Sequence, residues 1–185
     1  MSIILIRGYS HSGKDFVGSI LCKQYGYQRF AFADSLKQIV SELYDVPIDV
    51  LHSQEGKRLI CEKDSLKRSY RQILIDEALR LRKIDDDYFV KACCKTIKDS
   101  SIHKIVITDW RYPNELNMLQ DYFKDYQIKT VHIIRPLQEI SPVMDVSEYK
   151  LKERKNDYVI YNHMDNGIYE DIKKLIESLS SPLSL

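Results

Sequence analysis

The chain has 185 residues, enough for one α/β domain with a full core and too few for two such domains. Hydrophobic residues at 44% and charged residues at 30% exclude a disordered chain, and 28 Lys+Arg against 27 Asp+Glu exclude the broad basic field of a nucleic-acid binder. No apolar run is long enough for a signal segment or a membrane span, so a soluble, cytoplasmic chain with no membrane and no nucleic-acid partner is expected.

In chain order, Ile3 to Arg7 is a continuous apolar run that predicts a buried parallel strand. After a Gly-containing turn, Phe16, Val17, Ile20 and Leu21 follow at helical spacing, with Gly26 as the stop. Phe30 to Phe32 predicts a short second strand. Asp34-Ser35 then caps a helix with Leu36, Ile39, Val40 and Leu43 on one face, stopped at Pro47. Apolar spacing from Ser65 to Lys83 predicts another helix, and Asp85-Asp86-Asp87 opens the next. Ile105 to Asp109 is a strand ending in an acid, and Pro113 starts a helix. Thr130 to Ile134 and Asp157 to Asn162 are further strands, and Ile168 to Leu179 is a closing amphipathic helix. Cys22, Cys61, Cys93 and Cys94 show no metal or disulfide spacing, which suits a reducing compartment.

Strands alternating with helices predict a parallel sheet covered on both faces, with ligands at the carboxyl ends of its strands. Arg7-Gly8, Asp109-Trp110-Arg111 and Arg135 all fall at such ends. Gly8-Tyr9-Ser10-His11-Ser12-Gly13-Lys14-Asp15 fits G-x-x-x-x-G-K between a strand and a helix, the pattern of a loop whose amides cradle phosphate. Lys14 would reach the β- and γ-phosphates of ATP. Asp15 stands where Ser or Thr usually ligates Mg²⁺; it either holds that ion, directly or through water, or caps the helix. Asp109 suits a second magnesium-orienting acid or a loop cap. Arg111 and Arg135 suit clamps on a moving phosphoryl group, with surface ion pairs as the alternative. Arg68 and Arg71, one turn apart, suit an acceptor phosphate or a solvated helix face, and Lys37 and Asp34 are open in the same way. Tyr9, Trp110 and Tyr112 either stack on a base or pack. The basic cluster Lys150, Lys152, Arg154 and Lys155 is either a closing lid over about 136–156 or a charged loop.

With these residues together, the chain resembles the phage- and virus-type deoxynucleoside monophosphate kinases. Gly8 to Asp15 is similar to their P-loop, and Phe32-Ala33-Asp34-Ser35-Leu36-Lys37 to their F-A-D-P-L-K segment, with Ser in place of Pro. Arg71-Gln72-Ile73-Leu74 with Ile84-Asp85 resembles their substrate-side helix. Thr108-Asp109-Trp110-Arg111-Tyr112-Pro113-Asn114-Glu115 is close to D-x-R-[FY]-P-N-E. Ser147-Glu148 and Asp157 to Asn162 resemble their closing elements. The resemblance implies one P-loop kinase domain over 1–185 with a helical acceptor region at about 34–100. It also implies transfer from ATP to a deoxynucleoside monophosphate with Mg²⁺, a location in host cytoplasm for a viral chain, and a possible homodimer. In that scheme Lys14, Asp109, Arg111 and Arg135 serve catalysis. Gly8, Ser10, His11, Ser12, Gly13, Asp15 and Asn162 bind ATP, with Asn162 and His163 near adenine. Asp34, Lys37, Arg68, Arg71 and Trp110 face the acceptor. The animal-type phosphomevalonate kinases resemble the same outline with an acceptor that lacks a base, and a catalytically idle nucleotide switch is the remaining alternative.

Overall fold

A computed structural model describes residues 1–136 and 156–180. The expected lid falls almost wholly on residues outside that set. Five strands, β1 (Ser2–Arg7), β2 (Gln28–Phe30), β3 (Lys104–Ile107), β4 (Gln127–Ile134) and β5 (Tyr158–Tyr161), form one sheet in the order β2-β3-β1-β4-β5. Every pairing is parallel, with Leu5 beside Ile107 on one flank and Thr130 on the other. This order puts β1 at the centre, where its residues Ile3 to Ile6 are fully buried. A parallel sheet needs apolar residues on both faces, and that is why its central strands read as unbroken Ile/Val/Leu runs.

Alternation along the strands divides the core. Ile4, Ile6, Val106, Val131, Ile133 and Ile160 pack with Val17, Ile20 and Leu21 of α1 (Lys14–Tyr25) and with Ile168, Ile172 and Leu175 of α8 (Gly167–Ser180). Ile3, Leu5, Ile105 and Ile107, facing the other way, are equally buried, so the sheet is covered on both sides. With a Gly-rich loop between β1 and α1, this is the three-layer P-loop α/β fold.

By its contacts the chain divides into two compact units, one of residues 1–31 and 97–185 and the other Phe32–Thr96. The second unit is helical. It contains α2 (Asp34–Tyr44), α3 (Ile48–His52), α4 (Gln54–Arg58), α5 (Tyr70–Ile84) and most of α6 (Tyr88–Ser100), with Leu51, Cys61, Ile73, Leu81, Phe89 and Val90 buried. The remaining helix of the first unit, α7 (Pro113–Tyr122), begins at its proline as expected.

Several boundaries differ from those expected. The second strand lies two residues earlier, leaving Ala31 and Phe32 buried beyond its end. Asp34 is the first residue of α2, with Ala33 at the cap position; its carboxylate meets Lys37 one turn on. The helix expected from Ser65 starts at Tyr70, because Ser69 Oγ accepts from Gln72 N and sets the boundary. Asp85 closes α5 and accepts from Asp87 N, so α6 begins only at Tyr88. Short helices α3 and α4 occupy a stretch that carries too few apolar repeats to show a helical period.

Candidate active site

The loop Gly8–Gly13 leaves the end of β1 and enters α1, with residues from the ends of β4 and β5 packed against it. Gly8 has φ 151° and Gly13 φ 106°, a region in which L side chains are strained. A Cβ on Gly8 would stand 2.5 Å from Ile133 O and 2.7 Å from Ser12 Oγ, and one on Gly13 would run into the Asn162 amide. His11 also takes a left-handed conformation, φ 62°. Gly13 stands at the cap position of α1 and makes no side-chain cap hydrogen bond, at the positive end of the helix. Lys14 Nζ curls over the loop and donates to Gly8 O (2.7 Å) and Tyr9 O (2.6 Å). Ser12 Oγ is buried and has no protein hydrogen-bond partner, an orphan donor inside the cradle. These features fit a phosphate group: a helix N-terminus entered through glycine, an ammonium beside it, and a buried hydroxyl to spare.

On the β3 side, Trp110 N donates to Ile6 O (3.2 Å), so the chain after β3 continues alongside the end of β1. Thr108 lies so close to Gly18 that a Cβ there would sit 2.7 Å from its methyl carbon, which packs α1 tightly against the exit of β3. Asp109 therefore stands at the strand end next to the root of the loop, and Asp15 lies exposed in the first turn of α1. Both are carboxylates that could donate oxygen to Mg²⁺, directly or through water. Among the described residues no group of three or more His, Cys, Asp or Glu forms an all-protein metal site.

Sequence reading missed the part Glu115 plays. Its buried carboxylate accepts from Arg111 N (2.9 Å) and Tyr112 N (3.0 Å), fixing the backbone that carries Arg111. The signal was the Glu three residues past the cap position at Tyr112, a capping-box spacing. On the β4 side, Arg135 follows the strand end, donates to His11 O (3.3 Å) and lies against Met164 Sδ. The loop, Asp109, Arg111 and Arg135 thus share the carboxyl edge of one sheet.

Two of the expected site residues make contacts within the protein. Trp110 is only 2% exposed and its indole N–H donates to Tyr112 O (2.8 Å), so the ring is packed and offers no face for stacking. Asn162 is turned to the loop itself: Nδ2 donates to Ser12 O (2.9 Å), and Oδ1 accepts from Met164 N (3.1 Å). His163 is exposed and stacks on Tyr161.

Within the helical unit, Arg68 is tied to acids. It precedes α5, and its guanidinium is spent on two carboxylates, both oxygens of Asp64 (2.9 and 2.7 Å) and Asp76 Oδ2 (2.7 Å). Those hydrogen bonds hold the Asp64 carboxyl down at about 2 and raise the Arg68 pKa further. A guanidinium so neutralised is a brace for the 59–70 loop, where Cys61 N donates to Arg68 O and Tyr70 N to Leu59 O. Arg71, in contrast, is exposed in the first turn of α5, touching Gln54 Oε1 (2.7 Å). Lys37 Nζ lies between Asp34 Oδ1 (3.3 Å) and His52 Nδ1 (3.2 Å). His52 and Gln54 come from the two short helices and were not singled out in the sequence.

No protein-family model matches the chain, and no curated protein does. Among solved structures, TT1252 from Thermus thermophilus is similar at 15% identity over 100% of this chain and 98% of that one, with a TM-score of 0.52, a likeness of fold. Shikimate kinase from Aquifex aeolicus is similar at 16% identity over 96% of each chain, TM-score 0.46. APS kinase from Mycobacterium tuberculosis is similar at 16% identity over 97% of each chain, TM-score 0.45.

Proposed function

We propose that this chain is an ATP-dependent phosphotransferase of the nucleoside monophosphate kinase type, which converts a deoxynucleoside monophosphate to its diphosphate. The observation that carries the reading is the loop Gly8–Lys14, contacted by Arg135 after β4 and Asn162 after β5, with Asp109 and Arg111 following β3 at the same sheet edge.

An oxygen of the acceptor phosphate attacks the γ-phosphorus of ATP, the bond from that phosphorus to the β,γ-bridging oxygen breaks, and ADP leaves. The attacking oxygen is already ionised, so the protein needs no general base and contributes position and charge. Lys14 and the amides of the loop hold the β- and γ-phosphates. Arg111 and Arg135 take up the charge spread over the moving group. Asp15 and Asp109 would hold magnesium, which when bound offsets phosphate charge. In the helical unit, Lys37 and Arg71 supply cations for the acceptor phosphate, and Asp34 orients Lys37.

The packed indole of Trp110 favours a second reading, an acceptor that has a phosphate and no base, as in the phosphomevalonate kinases. A coupled assay of ADP release over the common deoxynucleoside monophosphates and phosphomevalonate separates the two. Stimulation by at least one nucleotide and none by phosphomevalonate is expected; the reverse selects the second reading. ATP binding that no phosphorylated acceptor accelerates would leave an idle nucleotide switch.

A further inference from the structure

We propose that β5 is a two-point clamp on the phosphate loop, with Asp157 and Asn162 as positioning residues for ATP; this rests on the reading of Gly8–Lys14 as a triphosphate site. The two anchors flank the four residues of the strand. At its start, Asp157 accepts from Arg7 Nε at 2.6 Å, with side chains 0% and 7% exposed. Arg7 is the last residue of β1, immediately before Gly8. At its far end, Asn162 donates to Ser12 O and lies directly against Gly13. Asn162 cannot drift, because its own amide donates to Ile134 O (2.7 Å) and its Oδ1 is held by Met164 N.

The loop is thus gripped at its entrance and at its exit into α1 by one strand at the edge of the sheet. A charged pair buried at the first grip is poor at adding stability and good at fixing geometry, since a misplaced guanidinium would leave two charges unsatisfied. At the second, the grip falls on the Ser12–Gly13 peptide, where Gly13 takes φ 106°. A loop of that shape binds phosphate without reordering its amides, so the clamp acts on nucleotide affinity.

Amide hydrogen exchange on the protein alone reads the clamp, and calorimetric titration with ATP reads its consequence. Asn162→Asp keeps the size of the side chain and sets a carboxylate oxygen against Ser12 O. Exchange at Ser12 N, which donates to Tyr9 O in the native loop, should rise about tenfold and ATP affinity fall about tenfold, the effect of one lost buried hydrogen bond. The KM for the phosphate acceptor should stay within about twofold. The double variant Arg7→Met/Asp157→Leu, which leaves neither charge buried alone, carries the same expectation if Asn162→Asp does not fold. Arg7→Lys, which keeps the pair's charges, should lie between it and the native chain. Native exchange at the loop in the folded variants would overturn the clamp, whatever their ATP affinity. Raised exchange in variants of a native chain that itself binds no ATP would overturn the triphosphate reading, and with it the role in affinity.

Discussion

Lys14 reaches back to two carbonyl oxygens of its own loop, so its ammonium is centred over the amides and not directed to solvent. Lys14→Ala should therefore lower turnover by a factor of about 10² or more with little change in melting temperature. A steady-state assay with a thermal melt checks both, and near-native turnover would remove the residue from catalysis. Gly13 is the backbone counterpart. At φ 106° and against the Asn162 amide, Gly13→Ala is strained twice, and it should cost about 1–3 kcal/mol of stability as well as ATP binding. Denaturant unfolding reads the first effect, and an unshifted midpoint contradicts it. Arg111, held at its backbone by Glu115, is the residue proposed to answer phosphate charge. Arg111→Lys keeps the charge and loses the planar fork, so turnover should drop more than ATP affinity does. Equal losses in both would relegate Arg111 to ground-state binding.

At the scale of elements, the boundary before α5 shows how much of a residue's setting lies outside the helical pattern. The apolar spacing from Leu66 onward suggested a helix that included Arg68, and two arginines a turn apart then suggested a phosphate clamp. Ser69 caps the helix instead, and Asp64 folds its carboxylate onto both the backbone and the guanidinium of Arg68. The Asp–Arg spacing of four was present in the sequence; a nearby acid is simply a commoner partner for Arg than a ligand. The consequence is an acid-sensitive brace. Asp64 titrates at about 2 in the folded chain against an ordinary 3.8, so its contribution is complete above about pH 4 and is lost as pH falls through about 2. Asp64→Asn should melt lower than the native protein at neutral pH, and the gap should close on acidification across that interval. Melting curves at stepped pH test it, and a gap independent of pH would show that the Asp64 charge has no part in stability.

For the molecule as a whole, the strands, their parallel direction and the glycine loop were legible because each rests on local pattern. Apolar runs, a glycine pattern and a proline at a helix start need no knowledge of distant residues. Two of the contacts that shape the site are not of this kind. Arg7 with Asp157 and Ser12 with Asn162 each join residues 150 positions apart, and a single sequence does not reveal such a pairing. The same holds for Trp110, whose residue type alone fits a stacking platform as well as a core side chain. Only the position of the indole N–H on Tyr112 O decides that it packs. The helical unit was visible as helices but not as a site, since His52 and Gln54 sit on helices of five residues each.

The central claim is that the amides at the start of α1, together with Lys14, grip a triphosphate. A crystal structure with a non-hydrolysable ATP analogue tests it most directly. The β- and γ-phosphates should lie in the Gly8–Asp15 loop, with Lys14 Nζ moved from Gly8 O and Tyr9 O to phosphate oxygens. Nucleotide bound elsewhere, with Lys14 still on those carbonyls, would contradict it.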